Sequence, residues 1–123
     1  MLPSFWSNGV PIEKRIRVEI FLPLRSDLLS YQVAIDWMAE EFARQRGGAT
    51  LTAPFAGLFA SASHADLVED AIRILFSDFQ LDIENQAHTT QLVELLDDVK
   101  KFLTETLEEE EIWIVFYPIS RVP

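Results

Sequence analysis

Residues 112–117, Ile-Trp-Ile-Val-Phe-Tyr, are apolar at all six positions, and they constrain the fold more than any other segment. Their β-branched and aromatic side chains favour a β-strand. A strand with one face in water alternates between apolar and polar residues. Because this run does not alternate, we expect both of its faces to be covered. The chain's own core can cover one face, and the second is expected to need a partner copy of the chain.

Composition limits the class of protein. The length of 123 residues fits one domain, and the apolar fraction of 49% is that of a globular protein. The absence of cysteine excludes disulfides, thiolate nucleophiles and zinc–thiolate sites. A net charge of −10 disfavours nucleic acid and anionic membranes as partners. With no apolar stretch of about 18 residues and no pattern of a secretory signal, we expect a cytoplasmic protein.

Four segments have the alternation or composition of strands: residues 15–22, 50–60, 69–79 and 112–119. The first alternates cleanly and predicts a half-buried strand. The second contains Pro54 and Gly57, and because proline cannot donate to a central ladder we predict an edge strand or a bulged one. The third fits a strand or a helix, and we choose a strand because its β-branched residues cluster.

Two segments have apolar residues at helical spacing. The first helix is predicted from Ser26 or Ser30, either of which can cap it, to about Arg46, where Gly47-Gly48 is a stop. The second is predicted over residues 92–107, after a polar loop at 78–90. The first helix also has a narrow apolar stripe on its far side, formed by Leu29, Val33 and Trp37.

The order strand, helix, strand, strand, helix, strand resembles the ferredoxin-like, or split βαβ, plait. This resemblance implies an α+β domain over residues 15–123, with a four-stranded antiparallel sheet and two helices on one face. Its first and third strands would be central. Before it, residues 1–14 predict an irregular arm. Small bacterial proteins of this architecture include regulators and dimeric α/β-barrel enzymes, and no residue motif assigns the chain to one family.

Candidates for catalysis are weak. His64 lies beside Ser63 and Asp66, yet three neighbours in one polar loop are more typical of a solvated turn than of a catalytic triad. His88 precedes a helix, where capping roles dominate. Gly47-Gly48 lacks the lysine of a phosphate-binding loop, so no cofactor is predicted.

Two acidic segments are candidate sites for a ligand or a partner. Asp78, Asp82, Glu84 and Asn85 could supply oxygen ligands, but their spacing does not match a calcium loop, and a solvated loop is favoured. No metal is predicted. Four glutamates at 108–111 oppose the dipole of the preceding helix, which is locally unfavourable. A basic partner or an ion would explain them, although a solubilising run before the apolar strand is favoured.

The sheet face away from the helices is the best candidate for a functional surface. Aromatic residues together with arginine are typical of the centres of protein interfaces. We place five interface residues on this face: Phe21, Leu75, Trp113, Val115 and Tyr117.

These features predict a non-enzymatic, self-associating assembly or regulatory module that forms a homo-dimer or a higher homo-oligomer. The alternative is a small-molecule-binding protein or enzyme of the dimeric α/β-barrel type. Its candidate polar groups would be His64, Arg73 and Tyr117, converging in a pocket between sheet and helices.

Overall fold

The order of helices and strands is the predicted one, except that the second predicted strand is divided in two. The computed structural model describes residues 12–24, 29–44, 48–60 and 67–123. Its elements, in chain order, are β1 (Glu13–Pro23), α1 (Leu29–Arg44), β2 (Thr50–Leu51), β3 (Phe55–Ala60), β4 (Leu67–Phe79), α2 (Gln86–Thr106) and β5 (Trp113–Arg121). The third predicted strand, which also fitted a helix, is strand β4.

The sheet is antiparallel, and β1 and β4 are its central strands. β1 pairs with β4 from Ile16↔Phe79 to Pro23↔Ile72. On its other side β1 pairs with β5, while β2 and β3 both pair with the far side of β4. The predicted second and fourth strands are therefore at the edges, and the predicted plait is confirmed.

A β-bulge divides the predicted second strand, so the sheet has five strands where four were predicted. Pairing with β4 reaches Leu51↔Leu75 in β2 and resumes at Phe55↔Ile72 in β3. The edge therefore advances four residues against three on β4, which leaves one extra residue beside Pro54. Because one extra residue reverses the alternation of faces, Phe55 lies on the opposite face from Leu51.

The two helices pack on one face of the sheet, and alternate residues of β1 form the centre of the core. Ile16, Val18, Ile20 and Leu22 are fully buried. Both predicted apolar helix faces are confirmed as core. The buried residues that the helices contribute are Tyr31, Ala34, Ile35, Met38, Phe42, Leu92, Leu96, Val99 and Leu103.

The boundary of the predicted N-terminal arm is wrong by two residues. Glu13 and Lys14, expected in the arm, begin β1 because β5 extends to Arg121 and pairs with them. Residues 1–11 of the predicted arm lie outside the described residues, as does the candidate cap Ser26.

The second helix begins earlier than its apolar positions indicated. It starts at Gln86 because Asn85 caps it, accepting a hydrogen bond from the His88 backbone N–H at 3.2 Å. The His88 ring accepts a second bond from the Asp82 N–H at 3.1 Å. His88 therefore belongs to the helix start, as predicted.

A buried hydroxyl joins the chain after α1 to the central strand β4. Ser77 is 2% exposed, and its hydroxyl donates to the Gly48 carbonyl at 2.5 Å. Gly48 has φ +63°, a left-handed conformation that glycine adopts without strain.

Replacing Ser77 with alanine should lower the free energy of unfolding by about 1 kcal/mol, because the Gly48 carbonyl loses its buried partner. The melting temperature should fall by about 4 °C. Urea denaturation of Ser77→Ala measures the change, with Ser120→Ala on an exposed position of β5 as control. Equal stability of the two variants would contradict the structural role of this bond.

Candidate interface on the open face of the sheet

The sheet face away from the helices is called the open face. Directly paired residues of antiparallel strands project to the same side, so the register defines its members. The open face comprises the part formed by β1, β5, Phe55 and residues 72–78 of β4. Its members are Glu13, Arg15, Arg17, Glu19, Phe21, Phe55, Ile72, Ile74, Phe76, Asp78, Trp113, Val115, Tyr117, Ile119 and Arg121. Trp113 is 57% exposed, Phe55 43% and Tyr117 37%. Several exposed aromatic side chains on one face are unusual for a monomer.

Four of the five predicted interface residues lie on the open face, but the placement of Leu75 there is wrong. Leu75 pairs with Ile20, is 1% exposed and belongs to the core. Phe76 occupies the open face in its place, opposite Glu19. In β4 the polar residue Ser77 faces the core and the apolar residue Phe76 faces the open side, which is the reverse of the usual arrangement of polar and apolar side chains in a half-buried strand.

The predicted catalytic groups do not converge. Arg73 pairs with Leu22 on the core side, and its Nε donates to the Thr52 carbonyl at 3.1 Å. The Tyr117 hydroxyl lies on the open face and donates to Glu19 Oε1 at 3.0 Å. The grouping of these two residues in one pocket is therefore wrong, because they lie on opposite faces of the sheet. His64 lies outside the described residues.

A bidentate ion pair crosses the two central strands on the open face. Arg17 Nε donates to Asp78 Oδ1 at 2.7 Å, and Nη2 donates to Oδ2 at 2.9 Å. The Arg17 guanidinium also lies 5.1 Å from the centroid of the Phe76 ring. The hydrogen bond from Arg17 lowers the pKa of Asp78, and the reciprocal contact raises the pKa of Arg17. Asp78 is thus a partner of β1 and not part of an acidic loop.

The β5 side of the open face is aromatic and ordered. The rings of Phe21 and Trp113 make an edge contact with centroids 6.4 Å apart. Partial burial, followed by the hydrogen bond to Glu19, raises the pKa of the Tyr117 hydroxyl. The hydrogen bond from the Tyr117 hydroxyl to Glu19 therefore links β5 to β1 on the open face.

The described charges of the open face cancel, although the chain carries −10. Glu13 bonds to Arg15 and lies 3.2 Å from Arg121, and Arg17 bonds to Asp78. The open face carries three positive and three negative side chains: Arg15, Arg17 and Arg121 against Glu13, Glu19 and Asp78.

The backbone hairpin of β3 and β4 continues past the end of β1. β1 ends its pairing at Pro23↔Ile72, whereas β3 and β4 remain paired as far as Ala60↔Leu67. Among the described strands, this extension is only two strands wide. A two-stranded ribbon is marginally stable in water, so the extension favours contact with another surface.

Comparison with known proteins identifies the fold of the chain but assigns it to no family. No protein-family model and no curated protein matches the sequence. CutA1 from Oryza sativa has a TM-score of 0.54 at 12% identity, covering 86% of this chain and 80% of that chain. A phage SAM lyase in its apo state has a TM-score of 0.58 at 13% identity, covering 90% and 91%.

A third similar structure is CPII, a nitrogen regulatory PII-like protein from Thiomonas intermedia K12. Its TM-score is 0.50 at 13% identity, covering 94% of each chain. At these identities the likeness shows the fold alone, and that fold is the ferredoxin-like one predicted from the order of elements.

Neither described helix is long and apolar enough to cross a membrane. Within the described ranges, no three His, Asp or Glu side chains group as metal ligands.

Replacing Asp78 with asparagine should lower the free energy of unfolding at pH 7 by about 1 kcal/mol. The loss is smaller than for a buried ion pair because both side chains are partly in water. Since the folded pKa of Asp78 is lowered, its contribution is present above the unfolded pKa and is lost as the pH falls through the folded value.

Chemical denaturation at pH 7 and in steps below pH 4 checks this expectation. Wild type and Asp78→Asn should differ at pH 7 and converge once Asp78 is protonated in the folded chain. Asp97→Asn, which removes an exposed partner of Lys101, is the matched control and should leave stability unchanged at pH 7. A constant difference between wild type and Asp78→Asn at every pH would exclude the ion pair as the cause.

Proposed function

We propose that the chain is a non-enzymatic, self-associating regulatory module whose copies meet through the open face. The observation that carries the proposal is a large aromatic surface on which the described charges already cancel. Trp113 and Tyr117 offer large contact areas at low conformational cost. Arg17 and Asp78 satisfy one another, so burial against a partner requires no complementary charge.

A second copy of the chain is the occupant that the charges favour. Two molecules that each carry −10 repel one another across most of their surfaces. The open face is net neutral among the described residues, so two copies can approach there at low electrostatic cost. A two-fold axis would set this face against itself in an isologous contact.

The geometry supports such a contact. A stable interface buries about 800 Å² on each partner, about a tenth of the accessible surface of this chain. The open face spans β1, β4 and β5, and the hairpin extension of β3 and β4 would add further contact area. The contact would cover the second face of β5, whose first face packs Ile114 and Phe116 against the core.

The regulatory part of the proposal draws on the fold and on the site. CPII is described as a nitrogen regulatory protein and was solved with ADP, AMP and bicarbonate, so this fold serves regulation in at least one protein. In the present chain, Arg73 and Tyr117 lie on opposite faces, so the set proposed for an enzyme of the dimeric α/β-barrel type is not assembled. A module that acts by binding is therefore favoured over an enzyme.

Light scattering at micromolar concentration should give a mass of at least twice the 14.1 kDa of the chain. The mass should change little between low and high salt, because the proposed contact is mainly apolar. A monomeric mass across this concentration range would exclude the assembly.

The variant Val115→Glu should dissociate the oligomer, because its carboxylate would be buried without a partner between Trp113 and Tyr117. The dissociation constant should rise at least about thirtyfold, the cost of losing one interface anchor. Val33→Glu, on the exposed side of α1, is the matched control and should leave the oligomer intact.

Sedimentation velocity of both variants decides between the two surfaces, and circular dichroism verifies that each variant is folded. Dissociation by Val33→Glu but not by Val115→Glu would move the self-association surface to α1 and reject the proposed face.

A further inference from the structure

The outer side of α1 carries an apolar stripe that the core does not use. Leu29 is 92% exposed, Val33 64% and Trp37 36%, and their spacing of four residues aligns them along the helix. A shallow, open depression of about 490 Å³ lies beside the stripe, and all of its described lining residues belong to α1; it is called the α1 groove. Its lining residues are Val33, Asp36, Trp37, Ala39 and Glu40.

The aromatic residue of the α1 groove also contacts the second helix. The Trp37 ring packs on Phe102 of α2, with centroids 4.6 Å apart. A partly exposed tryptophan whose ring is packed on one side is typical of an interface anchor, since less conformational entropy is lost when it is covered.

Carboxylates lie beside the apolar stripe. Asp36 and Glu40 line the groove itself. The Ser30 hydroxyl donates to the Thr106 carbonyl at 3.3 Å, so the start of α1 lies against the last turn of α2. The glutamates at 108–111 follow that turn. Their position after a helix C-terminus is unfavourable in the single chain, and a cationic partner would offset that cost.

We propose that the α1 groove binds a basic amphipathic helix of a partner protein. The apolar side of that helix would cover Val33 and Trp37, and its Lys or Arg side chains would approach Asp36, Glu40 and the glutamates at 108–111. As in helix-in-groove recognition, the apolar face of the partner helix would supply the main contact, here against the open outer side of α1. The core separates this surface from the open face, so the inference does not depend on self-association.

The charges argue against a second copy as the occupant. α1 and α2 together carry −4, from seven acidic and three basic side chains: Asp36, Glu40, Glu41, Glu94, Asp97, Asp98 and Glu105 against Arg44, Lys100 and Lys101. Two such helix layers in contact would set like charges against one another.

The probe is a fluorescent helical peptide of about 18 residues, built from leucines on one face and lysines on the other. Two control peptides are a scrambled sequence of the same composition and a version with glutamate in place of lysine. Fluorescence anisotropy near physiological salt should show micromolar binding of the lysine peptide, with both controls at least about tenfold weaker. Equal binding of the scrambled peptide, or no binding at about 1 mM, would overturn the proposal.

Variants locate the binding surface. Val33→Lys should weaken binding at least about tenfold, as expected for a central contact. Val93→Lys, at a 47% exposed position of α2, adds the same charge elsewhere and should leave the affinity nearly unchanged. The double variant Asp36→Asn with Glu40→Gln should weaken binding and reduce its salt dependence. Equal effects of Val33→Lys and Val93→Lys would reject the α1 groove.

Deleting residues 1–11 tests whether the apolar N-terminal segment of the same chain, and not a partner protein, occupies the α1 groove. Unchanged affinity after this deletion supports an external partner. Peptide binding that appears only after the deletion would assign the groove to the chain's own segment and overturn the proposal.

Discussion

The whole sheet depends on the alternation of β1. Its residues on one side, Ile16, Val18, Ile20 and Leu22, are fully buried beneath the helices. The intervening residues of β1 place Arg15, Arg17, Glu19 and Phe21 on the open face. Because β1 pairs with both β4 and β5, its alternation fixes which residues of both neighbours are buried. A shift of one residue would expose the core and bury Arg17.

The Arg17–Asp78 pair would allow the proposed apolar interface to form across strands that contain charges. A guanidinium buried without a partner is strongly destabilising, whereas a bidentate pair brings its own counter-charge. The same guanidinium covers the Phe76 ring, so the pair also packs against the apolar patch. Charge and aromatic area on the open face are therefore parts of one surface.

The sequence predicted the elements in which polar and apolar residues alternate or repeat regularly. It did not predict the elements in which packing reverses that pattern. The β1 alternation and the helical stripes predicted the core, and Pro54 predicted an edge or a bulge. The faces of β4 were not predictable, because Ser77 is buried through its bond to Gly48 while Phe76 lies on the open side. Nor did the sequence reveal that the bulge beside Pro54 places Phe55 on the open face.

The two surfaces differ in electrostatic character, and this difference is the basis on which we propose different partners for them. The open face is neutral and aromatic, which suits copies of the same chain. The helix layer is acidic around an exposed apolar stripe, which suits a basic partner and repels a second copy. Since the surfaces lie on opposite sides of the core, pairing through the sheet would leave each α1 groove facing outward. A partner with two basic helices could then engage both grooves, and the second contact would benefit from a high effective concentration. Self-association would in this way control the avidity for the partner without any change in the groove itself.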